Sequence, residues 1–315
     1  MPVSQRVRRV AESKCFSLLW REGALQRRSW VLLNKISSFC TSAVQSGEKG
    51  GIPITVAESI FLGVVQGVAE FLPISSSGHL VFFQSVFGFK EPPVFFDVLL
   101  HLGTLLAVVV FFRTDILTIA KGLAATWKGK KVDQQGSRLF LWIVIASLPT
   151  GLMGVLFKDW FESLFSQPKT VGFMLIITGL FLWVTRYAKG AGRTVAKMRW
   201  ADAVIIGIAQ GIAIIPGISR SGATISTGLS CGLDRELSGK FSFLLSIPAI
   251  LGATLLELRK FESGSEFGIY LIGMAIAFGA GLFFLKLLMK IIKIGKISNF
   301  SYYCAGVGAL MILLT

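Results

Sequence analysis

Between Gly63 and His79 the chain reads GVVQGVAEFLPISSSGH, which sets Gln66, Glu70, Ser75, Ser76, Ser77 and His79 inside otherwise apolar sequence. Polar and ionisable groups in such surroundings are costly to bury in lipid and mark function by default. Gln66 and Glu70 are four apart, so on a helix they share one face and project towards one point. A carboxylate there can hold a divalent cation, accept a proton or pair with a basic residue; the plainer alternative is a glutamate neutralised by burial. The serines, Gly78 and His79 gather hydroxyls, backbone N–H groups and an imidazole at the start of a helix, a combination that suits an anion. A serine with a histidine nearby also meets the first requirement of an activated nucleophile. The alternative for His79 is a cap or a packing role.

A second stretch, Gly207 to Gly222, reads GIAQGIAIIPGISRSG. At an offset of 144 residues (207 − 63) it repeats Gly63, Gln66, Gly67, Ala69, Ile74, Ser75, Ser77 and Gly78 without a gap. Such spacing identifies two copies of one unit. Ser219, Ser221 and Thr224 echo the first hydroxyl cluster, but Arg220 stands where the first copy has Ser76. A guanidinium matches phosphate oxygens through two parallel hydrogen bonds, which favours phosphate over a carbohydrate or an apolar solute. If the two breaks face each other, Ser76 and Arg220 converge on one group. The alternative is an Arg220 to Glu70 salt bridge that closes the interface between the copies. Asp97 and His101 are either a supporting shell or an interfacial i, i+4 pair, and Arg235 is a weaker candidate.

The elements that must position these groups are membrane helices. Of the 315 residues 53% are hydrophobic and only 16% charged, the composition of a polytopic membrane protein. The net charge of +15 does not point to nucleic acid, because the basic residues cluster between apolar segments as cytoplasmic loops require. Cys15, Cys40, Cys231 and Cys304 lack the spacing of a zinc site or a disulfide framework. Residues 1–50 form a basic extension that reads as a disordered arm or a targeting segment. Two membrane repeats are expected at 54–187 and 201–315.

Apolar segments fall at 54–72, 79–89, 94–112, 138–157, 170–187, 201–216, 223–233, 241–258, 267–290 and 301–314. Segments 79–89 and 223–233 are about half the ~20 residues that a span needs and follow Pro/Ser/Gly breaks, so each closes a re-entrant helix-break-helix hairpin. The basic loops at 113–138 and 186–199, and the lysines before the last helix, are assigned to the cytoplasm; the mixed loops at 158–169 and 257–266 lie outside. The fold class that results is an all-α polytopic membrane protein with six full spans and an inverted-topology repeat. This topology leaves the basic extension outside, against the charge rule.

The two motifs resemble those of the undecaprenyl-diphosphatase family, the bacitracin-resistance proteins of bacterial inner membranes. The similarity runs through Gln66 to Glu70, Pro73 to His79, Pro216 to Thr224 and FSFLLSIPAILGA at Phe241 to Ala253, covering roughly residues 54–315. It implies a multi-pass hydrolase that removes the terminal phosphate of undecaprenyl diphosphate, recycling the lipid carrier of cell-wall synthesis with the help of a divalent cation, magnesium or calcium. It also implies Glu70 as motif carboxylate and metal ligand, Ser76 as candidate nucleophile, His79 as catalytic histidine, and Ser219, Arg220, Ser221 and Thr224 as the phosphate side, with Gln66, Ser75 and Ser77 lining the substrate. Gln66 stands where many members have Glu, which concentrates metal or base duty on Glu70. Expected partners are the polyprenyl diphosphate and membrane lipids, with a homodimer left open. A type-2 phosphatidate phosphatase needs a second histidine followed by aspartate after the SRSG motif, and none follows. A lipid transporter or flippase uses the same architecture and stays the competing reading.

Overall fold

The structure, a computed structural model, describes residues 54–89, 94–127, 135–165, 167–188, 192–258 and 267–314. The basic extension at 1–50 and most of the 257–266 loop lie outside the described residues. The helices are α1 (Val56–Ala69), α2 (Ser76–Val86), α3 (Val94–Phe111), α4 (Arg113–Trp127), α5 (Gln135–Leu156), α6 (Lys158–Leu164), α7 (Pro168–Val184), α8 (Trp200–Ile212), α9 (Arg220–Ser230), α10 (Arg235–Leu258), α11 (Phe267–Ile294) and α12 (Phe300–Leu314). The β pairing found among the described residues is an isolated bridge between Arg193 and Leu233. Helices are what lipid permits, since each satisfies its own backbone.

Helices α3, α5, α10 and α11 and the 297–314 stretch are long and apolar enough to cross a membrane. Helices α6 and α7, bent by 101° at their junction, add a sixth span as a pair. These are the six expected full spans. By contrast α1 and α8 have 14 and 13 residues, and α2 and α9 have 11 each, too short to cross alone.

The two broken elements follow one plan. Helix α1 starts on a capping box in which Glu58 N–H donates to Thr55 Oγ1 at 3.2 Å and Thr55 N–H to Glu58 Oε2 at 2.8 Å, satisfying donors that a helix start leaves open. It stops at Ala69, shortly before Pro73, which cannot continue a helix. The chain turns at Ser75, the one non-glycine residue with positive φ among those described (φ 69), and Ser75 Oγ then caps α2 by accepting from Gly78 N–H at 3.2 Å. In the second copy the positive φ belongs to Gly217 (φ 95), and Ser219 Oγ caps α9 from Gly222 N–H at 3.1 Å. Both helices begin earlier than the apolar pattern predicts, at Ser76 and Arg220 rather than at 79 and 223. The hydroxyl run therefore forms the first helical turn, because capping rather than hydropathy sets the boundary. The 144-residue offset holds over the whole of these helices, with 76 + 144 = 220 and 86 + 144 = 230.

Each broken element packs on a span from the other copy. Helix α1 lies against α11, and its counterpart α8 lies against α5; α3 meets α10 and α7 meets α12. Glycines permit this approach. A Cβ added at Gly67 would stand 2.6 Å from Ala280 Cβ and 2.8 Å from the Ala277 carbonyl oxygen on α11, while Gly211 faces Met153 of α5 in the same way. The pairs Gly63/Gly67 and Gly207/Gly211 thus act as small-xxx-small interfaces.

Two expected loops contain helix. The 113–138 segment folds as α4 over its first 15 residues, and the 158–169 segment holds α6. Of the charges that mark 113–138 as a loop, Arg113, Asp115 and Lys121 sit on this helix, of which Gly122 alone is buried, at its approach to Gly136 and Ser137 of α5, and residues 128–134 lie outside the described residues. Among the described residues neither α4 nor α6 has a counterpart in the second copy, and the offset does not hold beyond α3.

The inverted repeat requires the 158–169 segment to label from outside and the 113–138 segment from inside when single cysteines are introduced into a cysteine-free variant; labelling of both from one side excludes it. At the α1/α11 contact, Gly67→Val overpacks the interface and lowers stability by about 1–3 kcal/mol. Gly252→Ala, with nothing within 4 Å, leaves the detergent melting temperature unchanged or slightly raised.

Candidate functional site

The two breaks touch each other, and Glu70 is the residue on which they meet. It closes α1, 7% exposed, with its backbone N–H still donating to Gln66 O at 2.9 Å. Arg220 Nη2 donates to Glu70 Oε1 at 2.5 Å. Ser76 Oγ donates to Oε2 at 2.6 Å, and Gln66 Nε2 donates to Oε2 at 3.1 Å. His101 Nε2 stands 3.6 Å from the same oxygen. A carboxylate removed from water needs this density of donors. The equivalent positions 76 and 220 therefore do converge, on the two oxygens of one carboxylate. The salt-bridge alternative for Arg220 is observed, but through one nitrogen only: Arg220 Nη1 is buried and has no hydrogen-bond partner. Gln66 Oε1 is likewise buried and unpartnered. An orphan cationic donor and an orphan carbonyl acceptor thus flank the carboxylate.

The remaining hydroxyls hold the breaks together. Ser221 Oγ donates to the Phe71 carbonyl across the two copies at 3.2 Å. Ser75 and Ser219 act as helix caps, and their oxygens lie 3.3 Å from Ser77 Oγ and Ser221 Oγ respectively, the same arrangement twice. Thr224 Oγ1 donates to Arg220 O at 2.8 Å and stands 2.5 Å from Ser242 Oγ of α10. His79 does not reach Ser76: its Nδ1 lies 2.8 Å from Ser75 O and its Nε2 2.9 Å from Tyr303 Oη.

Of the weaker candidates, His101 joins the site and Arg235 does not. His101 Nδ1 bonds the backbone oxygen of Asp97 at 2.8 Å, leaving Nε2 towards Glu70, while the Asp97 carboxylate accepts from Gln84 Nε2 at 2.7 Å. This is not an Asp–His ion pair. Arg235 lies against the end of α11, donating to Lys293 O at 3.4 Å.

Sequence reasoning missed the anchors supplied by the spans. Thr178 of α7, fully buried, donates to Gly217 O and accepts from Ser219 N–H, both at 2.9 Å. On α12, Cys304 Sγ donates to Pro73 O at 3.5 Å. The available signal was a single polar residue inside an apolar helix, which many spans carry. A cavity of about 400 Å³ lined by Asp115, Asp234 and Lys240 lies among α4, α5 and α10 and contains none of these groups.

Comparison with known proteins gives the same regions. The profile described as bacitracin resistance protein BacA matches residues 59–310. The chain is 44% identical over 263 residues to an undecaprenyl-diphosphatase of Carboxydothermus hydrogenoformans, covering 82% of this chain and 96% of the relative. It is 43% identical over 268 residues to one from Desulfatibacillum aliphaticivorans (81% and 97%) and 38% identical over 273 residues to one from Methanosphaera stadtmanae (83% and 99%). With both motifs inside a match that spans nearly the whole described membrane region, the chain belongs to the BacA family of bacitracin resistance proteins.

Proposed function

We propose that this chain hydrolyses undecaprenyl diphosphate to undecaprenyl phosphate and inorganic phosphate in the bacterial inner membrane, returning the lipid carrier to cell-wall synthesis. The observation that carries this reading is Arg220, whose Nη2 is committed to Glu70 while Nη1 is buried and free to donate. A guanidinium already fixed by one carboxylate meets a phosphate oxygen without further ordering, which is the preorganised charge that phosphoryl transfer uses.

The donor pattern supports one division of roles. Ser76 Oγ–H points its proton at Glu70 Oε2, so the carboxylate is the base as Oγ attacks the terminal phosphorus and the bond to the leaving undecaprenyl phosphate breaks. Water then attacks the phosphoserine, its proton passing to the His79 imidazole, while Glu70 returns its proton to Oγ as that bond breaks and inorganic phosphate leaves. A substrate phosphate on Arg220 draws positive charge away from Glu70, so the carboxylate accepts the serine proton more readily once substrate is bound.

A divalent cation fits beside this arrangement. Among the described residues no cluster of three His, Cys, Asp or Glu side chains could form a cage; Glu70 and the orphan Gln66 Oε1 would be the oxygen donors that hold a hard cation there. When bound, magnesium or calcium there would neutralise charge on the transferring group.

Purified protein in detergent should release phosphate from undecaprenyl diphosphate; a flippase needs a sealed membrane and releases none. Lysine cannot serve Glu70 and a phosphate at once through a fixed fork, so Arg220→Lys keeps most of the melting temperature but loses at least about 100-fold in rate. Arg220→Ala loses rate and also about 3–5 kcal/mol of stability, because it strands a buried carboxylate. Near-normal turnover of Arg220→Lys excludes the phosphate role of Nη1. Chelator removes activity and added magnesium or calcium restores it; full activity in chelator excludes the cation.

A further inference from the structure

The two hydrogen bonds of His79 fix its chemistry. The Ser75 carbonyl oxygen, 2.8 Å from Nδ1, can only accept, so Nδ1 carries its hydrogen and the neutral ring presents Nε2 as an acceptor. This tautomer is assigned from the bonding network. The partner of Nε2 is Tyr303 Oη at 2.9 Å. A phenol both donates and accepts: it donates to Nε2 of the imidazole and accepts from Nε2–H of the imidazolium. One hydroxyl therefore satisfies the ring in either protonation state. The rings are also nearly parallel, with centroids 5.8 Å apart and planes 7° apart, so contact fixes the ring plane as the hydroxyl fixes its edge. Tyr303 is 45% exposed and His79 7%, which places the tyrosine at the rim of the site. It comes from α12, whereas His79 starts α2, so the contact joins the two copies as the Glu70–Arg220 pair does.

We propose that Tyr303 is the positioning residue for His79, holding the imidazole with Nε2 as its exchangeable nitrogen and yielding that nitrogen when a phosphoryl group enters. The proposal rests on the phosphatase reading for its kinetic consequence but not for the contact itself. Among the described residues no other side chain gives His79 a hydrogen bond, and Ser76, the candidate nucleophile, is turned to Glu70. Serine and histidine thus belong to two separate pairs, Ser76–Glu70 and His79–Tyr303.

The test is Tyr303→Phe, which removes one oxygen from a half-exposed side chain and keeps the stacked ring. Selective nitrogen-15 labelling of histidine rings gives signals from two residues, His79 and His101, and His101→Gln assigns them. In substrate-free protein in detergent, neutral His79 should carry its hydrogen on Nδ1 with a hydrogen-bonded Nε2, and Tyr303→Phe should move the Nε2 signal to the position of a free acceptor. In phosphate-release assays kcat should fall roughly ten-fold with KM changed less than about two-fold. An unchanged Nε2 signal, a hydrogen on Nε2 in the wild-type neutral ring, or an unchanged kcat overturns the proposal. If the signal moves as expected but the wild-type chain releases no phosphate from undecaprenyl diphosphate, the contact stands and the substrate reading fails.

Discussion

The rest of the structure depends on one buried ion pair, formed between the end of α1 and the start of α9. Removing the Glu70 carboxylate from water is costly, and the cost is offset only because Arg220, Ser76 and Gln66 are all delivered to it at hydrogen-bond distance. Those donors come from both copies of the repeat, so the pair exists only when the two breaks are pressed together. The same contact that closes the fold therefore assembles the chemistry, and the orphan Arg220 nitrogen is what keeps it from being only structural.

What presses the breaks together is the exchange of partners between the copies. Lipid offers no hydrophobic drive to bring helices together, so close packing and polar links must do so. Glycines at 63, 67, 207 and 211 let α1 and α8 sink onto α11 and α5. Ser59 Oγ donates to Ile269 O at 2.7 Å and Thr150 Oγ1 to Gly207 O at 2.8 Å, tying the same interfaces with hydrogen bonds. Neither half could close its own break, since the anchors of each lie on spans it shares with the other.

The spans and the repeat were legible in the sequence because both depend on periodic, contiguous signals: apolar runs of fixed length, and identities such as Gly63/Gly207 and Ser75/Ser219 at one offset. The convergence of Ser76 and Arg220 followed from the same offset. Helix α4 was not legible as a helix, because its charged residues read as a loop and its burial is confined to Gly122. Nor was the partner of the serine. Sequence proximity suggested His79, three residues away, yet the start of α2 turns Ser76 towards Glu70 and His79 towards Tyr303, which lies 224 residues on in the chain. Contacts at that separation leave no local pattern.

The repeat is nearly, but not fully, matched at its centre. Position 214, which is 70 + 144, holds isoleucine where the first copy has glutamate, and Ile214 points towards Gly154 rather than into a polar cluster. A strictly two-fold junction would press two carboxylates together across the axis, each opposing the charge of the other. With acid from one copy alone, the junction instead sets one carboxylate against the Arg220 guanidinium of the other copy. The difference between positions 70 and 214 thus gives the junction a direction that the repeat itself lacks, acid from the first copy and base from the second.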